Sequence, residues 1–406
     1  MGVDAVSPWP CFTEEEANAV RRVLLSNRVN YWTGDECRKF EQEFSEWIGV
    51  RHAVAVSNGT VALDLGLMGA GLGPGDEVIV TCRTFLASVS SIVNAGARPI
   101  FADVDPDTQN ITAESIREVV TPQTRAVVCV HLAGCPCDMD PIMALAEEFG
   151  LFVIEDCAQA HGAKYKGIPV GTIGHVGAWS FCQDKIMTTG GEGGMVTTND
   201  PELWSKIWAY KDHGKSWGTV FEQLHPPGFR WVHESFGTNW RMTEMQAAIG
   251  RIQLARMADW HGKRCDNAMA LLETAVAIPI FRVPRIPDWA EHGWYKCYLF
   301  VRHNRLRKGW SRNRIMKEMN DMGIPCYTGI CPEVYLEKAF ERTGLRPDRR
   351  LPHAKRLGED SLMFLVHPTL TKSEIQSVCD GLISVGAAAI KLDVPSFPCS
   401  NQAARP

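Results

Sequence analysis

The sequence predicts an α/β fold: a large domain with a mostly parallel sheet covered by helices, followed by a smaller C-terminal α+β domain. In the first half, short apolar runs alternate with segments whose apolar residues recur at helical spacing. Such alternation is typical of parallel sheets that are buried on both faces. Near residue 260 the composition changes and prolines cluster, as in "IPIFRVPRIPDW". This change indicates a second domain.

The elements follow from these patterns in chain order. The predicted sheet strands are HAVAVS (52–57), EVIVT (77–81), PIFADV (99–104), RAVVCVH (125–131), LFVIED (151–156), HVGAWSF (175–181) and GGMVTT (193–198). Helices are predicted between the first five strands and at 201–213, 242–258 and 259–276. In the smaller domain the pattern predicts a strand at 294–302 and helices at 311–323 and 371–386.

Four segments are predicted along the chain. They are an N-terminal arm and helix (1–30), a large α/β domain (31–260), a small α+β domain (261–391) and a loose tail (392–406) rich in Pro, Ser and Gln. Ligands of open α/β sheets bind at the carboxyl ends of the strands. Functional residues are therefore expected where the strands of the large domain end.

Composition excludes several classes of protein. The net charge is −5 and no block of like charges stands out, which argues against a nucleic-acid or anionic-membrane partner. No apolar run approaches the roughly 18 residues of a membrane span. The start "MGVDAVSPWPCF" lacks a secretory pattern, so a cytoplasmic protein is expected. Neither a His-x-x-x-His motif nor a zinc-type cysteine spacing is present, and no metal is predicted.

Three short motifs contain candidate binding or catalytic residues. "SNGT" (57–60) places Gly59 and Thr60 at a predicted helix start, which is either an anion site or a plain helix cap. Asp156 ends a buried strand and either caps a neighbour or pairs with a cationic ring nitrogen. Lys185, within "WSFCQDKIMTTGGEGG", is either a surface lysine or an amine that forms a Schiff base with an aldehyde. Together the three are the parts needed to hold pyridoxal phosphate, with the glycines and threonines after Lys185 leaving room for it.

Longer motifs lie in one order between Tyr31 and Pro368. They are YWTGDECRKFEQEFSEWIGVRHAVAVSNGTVAL, GLGPGDEVIV, TFLASV, FADVDPDTQNI, HLAGCPCDMDPI, IEDCAQAHGA, SFCQDKIMTTGGEGGMVTTND and GTNWRMTEMQAAIGRIQL. On these motifs the chain resembles the sugar aminotransferases of the DegT/DnrJ/EryC1/StrS family. That resemblance implies the fold-type I architecture of pyridoxal-phosphate enzymes.

The resemblance also implies roles for single residues. Lys185 would be the catalytic Schiff-base lysine, and Asp156 would pair with the pyridine nitrogen. Phe85 would stack on the ring and Gln159 would lie beside its 3′-oxygen. The remaining implied cofactor contacts are with the phosphate: Gly59, Thr60, Ser180 and, from the neighbouring subunit, Asn239. A homodimer with shared active sites is therefore implied.

The activity implied by the resemblance is transfer of an amino group, usually from glutamate, to a nucleotide-linked keto-sugar. Such enzymes make deoxyamino sugars, including those of lipopolysaccharide or O-antigen. Carbon 4 of a 4-keto-6-deoxyhexose is favoured slightly over carbon 3 of a 3-keto-hexose. The motifs behind this preference, "YWTG" and "HGKSW" (213–217), are shared by both kinds of enzyme.

Departures from the family pattern concern the substrate. Arg83 stands where an aromatic residue is usual, Ile186 where Asn is frequent, and "YTGICPEVYLEKAF" (327–340) replaces a His-rich segment near the sugar. Two other functions remain as alternatives. A sugar dehydratase of the same family would carry His in place of Lys185, and a non-catalytic relative would have lost several of the matching residues.

Overall fold

The structure, a computed structural model, describes residues 6–391. The predicted tail at 392–406 lies outside the described residues. The α-helices in the described part are α1 (Glu14–Leu25), α2 (Glu36–Ile48), α3 (Gly59–Gly69), α4 (Ala87–Asn94), α5 (Ala113–Arg117), α6 (Met139–Phe149), α7 (Pro201–Tyr210), α8 (Glu244–Ala255), α9 (Met257–Val276), α10 (Arg312–Asp321), α11 (Pro352–Asp360) and α12 (Lys372–Ala389).

The strands form one large and two small sheets. They are β1 (His52–Val56), β2 (Glu77–Thr81), β3 (Arg98–Ala102), β4 (Thr124–Val130), β5 (Phe152–Asp156), β6 (Lys164–Tyr165), β7 (Ile168–Pro169), β8 (Val176–Ser180), β9 (Gly194–Thr198), β10 (Phe281–Arg282), β11 (Ala290–Glu291), β12 (Cys297–Val301), β13 (Cys326–Tyr327) and β14 (Ser361–Phe364). All seven predicted strands of the large sheet are present, with ends shifted by at most one or two residues.

The large sheet has the order β1-β9-β8-β5-β4-β2-β3. Neighbouring strands are parallel except at β9, which is antiparallel to both β1 and β8. Most of its strand residues are buried, because helices cover both faces. The predicted α/β class with a mostly parallel sheet is confirmed.

Local capping explains where several helices begin. Thr13 and Glu16 form a capping box at the start of α1, and Thr243 and Gln246 form one at the start of α8. The second box starts α8 at Glu244, two residues later than the predicted 242. The helix predicted over 201–213 ends earlier, at Tyr210.

The C-terminal part contains a four-stranded antiparallel sheet in the order β10-β12-β14-β13. The predicted domain boundary near 260 falls inside α9. Trp260 belongs to the large core, whereas Ala268 and Leu271 belong to the core beneath the smaller sheet. The division into 31–260 and 261–391 stays a prediction. Within 6–391, no helix combines the length and apolar character needed to cross a membrane.

Candidate active site

A cavity of about 690 Å³ lies at the carboxyl edge of the large sheet. Asp156 ends β5 and Ser180 ends β8, and the backbone pairs Asp156 with Ala178, so these two strand ends lie side by side. Seven of the eight predicted site residues line the cavity: Gly59, Thr60, Phe85, Asp156, Gln159, Ser180 and Lys185. Two wider grooves elsewhere contain none of them.

One end of the cavity is formed by the start of α3. The Asn58 side chain accepts a hydrogen bond from the Val61 N–H at 3.0 Å. An α-helix leaves its first N–H groups without partners within the helix, and here those groups belong to Gly59 and Thr60. A Cβ at position 59 would lie 2.5 Å from the Ser180 Cβ. Glycine is therefore needed for the helix start to approach the end of β8, and N–H groups at a helix start are suited to binding an anion.

Asp156 is held as a buried acceptor. Its side chain accepts hydrogen bonds from Ser88 Oγ at 2.7 Å and from the Ala158 N–H at 3.1 Å, and Ser88 in turn lies 2.8 Å from Thr84 Oγ1. The residue is only 5% exposed. The sequence reasoning missed Ser88, although it stands in the quoted motif "TFLASV".

Two further wall residues lie where the sequence predicted. The Ala133 N–H donates to Gln159 Oε1 at 3.0 Å, so the amide nitrogen remains as a donor. Phe85 is 63% exposed although it is aromatic and adjoins the buried Thr84. An exposed aromatic face on a cavity wall is suited to stacking on a flat ring.

Lys185 projects from the turn after β8 and is half-buried. Its Nζ lies 5.1 Å from the centre of the Tyr295 ring. The Tyr295 hydroxyl donates to Asp184 Oδ2 at 2.5 Å. Burial, and then the Asp184 carboxylate, raise the pKa of Tyr295 above its ordinary value, so it stays a donor. Tyr295 comes from the C-terminal part, and no sequence motif pointed to it.

Other basic groups near Lys185 are affected by burial. Burial lowers the pKa of Lys296 to about 8, although Asp184 opposes this effect, and the Lys296 Nζ lies 3.9 Å from Asp184 Oδ2. Burial, with Lys185 as the next cause, lowers the pKa of His161 to about 3. His161 is therefore a neutral imidazole beneath the site at neutral pH.

The threonines and glycines after Lys185 support the turn rather than line the cavity, which Glu192 does line. Thr188 Oγ1 donates to the Phe181 carbonyl at 2.9 Å, and Thr189 Oγ1 donates to the Glu192 carbonyl at 2.6 Å. A Cβ at Gly194 would lie 2.4 Å from the Asn58 carbonyl oxygen. This glycine thus makes room for the start of α3, which differs from the expected role of opening space for a ligand.

Asn239 and Arg83 lie outside the cavity wall. Asn239 is exposed and does not line the cavity of its own chain. Arg83 is fully buried; its guanidinium donates to Gln109 Oε1 at 3.0 Å and to Ser361 Oγ at 3.0 Å. It therefore ties the loop after β2 to β14. Of the segment 327–340, Ile330 lines the cavity.

Three potential metal ligands meet behind Asp156, namely His131, Glu155 and Cys157. The Cys137 N–H donates to His131 Nδ1 at 3.0 Å, so Nε2 carries the proton and donates to Glu155 Oε2 at 3.0 Å. Glu155 also accepts backbone N–H groups, from Gly171 among others. Burial alone would raise the pKa of Glu155, but His131 and these N–H groups lower it. The chemistry is that of a satisfied hydrogen-bond network.

Fold and site together define a class of protein: an α/β enzyme whose sheet edge brings an anion site, a buried carboxylate and an amine into one cavity. The family model of the DegT/DnrJ/EryC1/StrS aminotransferase family matches residues 10–383. The chain belongs to this family and is an aminotransferase. The predicted resemblance and enzyme class are confirmed.

Named relatives agree with this assignment. The chain is 44% identical to the GDP-perosamine synthase of Escherichia coli O157:H7, over 92% of this chain and 96% of the relative. It is 34% identical to the dTDP-3-amino-3,4,6-trideoxy-alpha-D-glucose transaminase of Streptomyces venezuelae, over 90% of each. The X-ray structure of the aminotransferase from Psychrobacter cryohalolentis is 62% identical, with a TM-score of 0.93 over 94% of this chain and 99% of that one.

Proposed function

We propose that this aminotransferase uses pyridoxal phosphate to move an amino group from glutamate to carbon 4 of a nucleotide-linked 4-keto-6-deoxyhexose. The observation that supports it is the meeting of three groups in one cavity: the start of α3, the Asp156 carboxylate and the Lys185 amine. The cytoplasmic location remains a prediction.

The residues fit the cofactor. Its phosphate would be held by the N–H groups of Gly59 and Thr60 and by the Ser180 hydroxyl, which line one cavity because glycine at position 59 lets the start of α3 approach Ser180. Phe85 would cover the ring. Asp156, kept ready by Ser88 Oγ, would hold a proton on the ring nitrogen, because a carboxylate favours the charged form of a basic partner.

Bound there, the cofactor supplies an electron sink for the carbon that gains or loses a proton. Lys185 would supply the amine that holds the cofactor, and its Nζ would also take up and return the proton at the reacting carbon of the substrate. Tyr295 lies against this amine and is fixed by its bond to Asp184. The Tyr295 ring thereby limits the directions that Nζ can take.

The position of amination has one alternative, carbon 3. The name of the Streptomyces venezuelae relative specifies a 3-amino sugar, at 34% identity. The higher identity of 44% is to a synthase of a GDP-linked sugar. We propose carbon 4 first and carbon 3 as the reaction to test beside it.

A panel assay tests the reaction. The purified protein, supplied with pyridoxal phosphate and glutamate, is given GDP- and dTDP-linked 4-keto-6-deoxy and 3-keto hexoses, and 2-oxoglutarate is measured. Lys185→Ala and Asp156→Asn should each lower the rate by at least about a hundredfold. Lys308→Ala, at an exposed lysine, should leave it unchanged. Absence of 2-oxoglutarate with every sugar would refute the proposal.

We also propose a homodimer with shared sites. The segment that carries Asn239 exposes large apolar side chains, including Leu224, Phe229, Trp231 and Phe236. Contiguous exposed apolar residues are typical of interaction surfaces. Asn239 on this segment would then reach the phosphate of the other subunit.

Subunit mixing tests the shared site. Lys185→Ala and Asn239→Ala are purified separately, both being weak or inactive, then mixed under conditions that exchange subunits. A mixed dimer would contain one site with both residues intact, so activity should recover to roughly a quarter of wild type. If the mixed sample contains dimers that have exchanged subunits but its activity does not recover, Asn239 has no role in the partner's site.

A further inference from the structure

Trp9, in the N-terminal arm, reaches the backbone of the proposed catalytic lysine. Its indole Nε1–H donates a hydrogen bond to the carbonyl oxygen of Lys185 at 2.8 Å. The two residues are 176 positions apart in the chain. The backbone N–H of Lys185 also has a partner, since it donates to the Cys182 carbonyl oxygen at 3.1 Å. Both backbone groups of Lys185 are therefore engaged.

The arm that carries Trp9 is itself fastened to the C-terminal part of the chain. Ser7 Oγ donates to Glu374 Oε2 at 2.9 Å, and Thr369 Oγ1 donates to the Pro8 carbonyl at 2.8 Å. These bonds lie directly before Trp9 in sequence. These two bonds hold the arm in place, and the Trp9 indole extends from the arm to Lys185.

Three side chains form a cage around the indole. Trp260 meets it edge-on with ring centres 5.1 Å apart, His367 stacks at 6.0 Å, and the Arg264 guanidinium carbon lies 4.9 Å from the ring. These contacts hold the indole in place, with its N–H bonded to the Lys185 carbonyl oxygen.

We propose that Trp9 is a positioning residue for Lys185, so that the N-terminal arm is part of the catalytic apparatus. The lysine side chain is long and flexible, and its amine must return to one place each time substrate leaves. Groups that react must be held within about half an ångström by their supporting contacts. The hydrogen bond from Trp9 fixes the Lys185 peptide, from which the amine extends past Tyr295. This inference rests on the proposed role of Lys185.

The test separates the N–H from the ring. Trp9→Phe keeps an aromatic ring in the cage and removes the donor, whereas Trp260→Phe alters the same cage without a bond to Lys185. Each protein is stripped of cofactor and titrated with pyridoxal phosphate, and the visible band of the bound vitamer is followed. Loss of one hydrogen bond should weaken binding about fivefold in Trp9→Phe and leave Trp260→Phe at the wild-type value.

The outcomes are distinct. Equal dissociation constants for the two folded variants and wild type, with borohydride labelling Lys185 in all three, would overturn the role of Trp9 alone. Labelling of a different lysine in wild type would remove both that role and the proposed function of Lys185. If Trp9→Phe does not fold, Thr369→Val loosens the arm with Trp9 retained and should show a smaller shift in the same direction; no shift there would also overturn the inference.

Discussion

Replacing Gly59 by alanine is expected to damage the cavity at its anion-binding end. The added methyl carbon would lie 2.5 Å from the Ser180 Cβ and 3.1 Å from the Ser180 Cα. Carbon atoms in contact prefer about 3.5–4.0 Å, so either the start of α3 or the end of β8 must move. Overpacking of this kind costs about 1–3 kcal/mol. The shift displaces the N–H groups of Gly59 and Thr60 relative to Ser180.

The assay has two readouts on the purified protein: the free energy of unfolding in urea and the dissociation constant for pyridoxal phosphate. Gly262→Ala is the matched control, since Gly262 lies within α9 and a Cβ there meets nothing within 4 Å. That variant should gain up to about 1 kcal/mol from helix propensity and bind the cofactor as wild type does. Gly59→Ala should lose stability and affinity together.

A second substitution identifies the clash as the cause. Ser180→Gly in the Gly59→Ala background removes the nearest atoms but leaves the Ser180 Cα at 3.1 Å, so part of the lost stability should return. Affinity should recover less, because the Ser180 hydroxyl is also gone. If Gly59→Ala has the same free energy of unfolding and the same dissociation constant for pyridoxal phosphate as wild type, the close approach of α3 to β8 does not shape the anion site and the reasoning fails.

Three further substitutions test the surroundings of the site. Arg83→Met should lower the unfolding free energy in urea by about 1–3 kcal/mol, because buried acceptors lose their donor, yet leave cofactor affinity unchanged; a large loss of affinity would place Arg83 in the site. His131→Ala should cost about 1.5–3 kcal/mol, because the buried Glu155 carboxylate loses the hydrogen bond from His131 Nε2–H but keeps those from the backbone, and Glu155→Gln in the same chain should restore part of it; equal losses would contradict this. Partial burial raises the pKa of Glu374, but hydrogen bonds from Ser7 and the start of α12 lower it to about 2, below the ordinary 4.5. Its stabilisation is therefore present above pH 4.5 and is lost as the pH falls through about 2. Glu374→Gln should flatten the fall in melting temperature over that window, and an unchanged slope would refute it.

The parts of the site that sequence reasoning located share one physical origin. Asp156 ends a strand of the large sheet, and Gly59 and Lys185 each come shortly after one; the carboxyl ends of parallel strands meet at one edge. Once the strands were recognised, convergence of these residues followed from topology. The strands themselves could be predicted because each is a short apolar run bounded by turn residues.

Residues whose orientation depends on packing were harder to predict. Ser88 stood in a quoted motif, but its contact with Asp156 depends on how α4 lies over the end of β5. Likewise, the glycine at 194 was expected to make room for a ligand. In the structure, residue 194 must be glycine because the carbonyl oxygen of Asn58, from a different part of the chain, lies where a Cβ would be.

The remaining contacts of Lys185 could not be deduced from local pattern because their partners come from outside the central sheet. Trp9 lies in the arm and Tyr295 precedes β12, and both reach Lys185 because the arm and the C-terminal part pack against the edge of the large sheet. No periodicity or spacing encodes such a docking, since it depends on the fit of two finished surfaces. The edge of the large sheet therefore brings the proposed reacting groups together, while the arm and the C-terminal part fix the position of the Lys185 amine. It follows that Trp9→Phe and a substitution at Tyr295 should affect the placement of Lys185 more than they affect the phosphate end at Gly59.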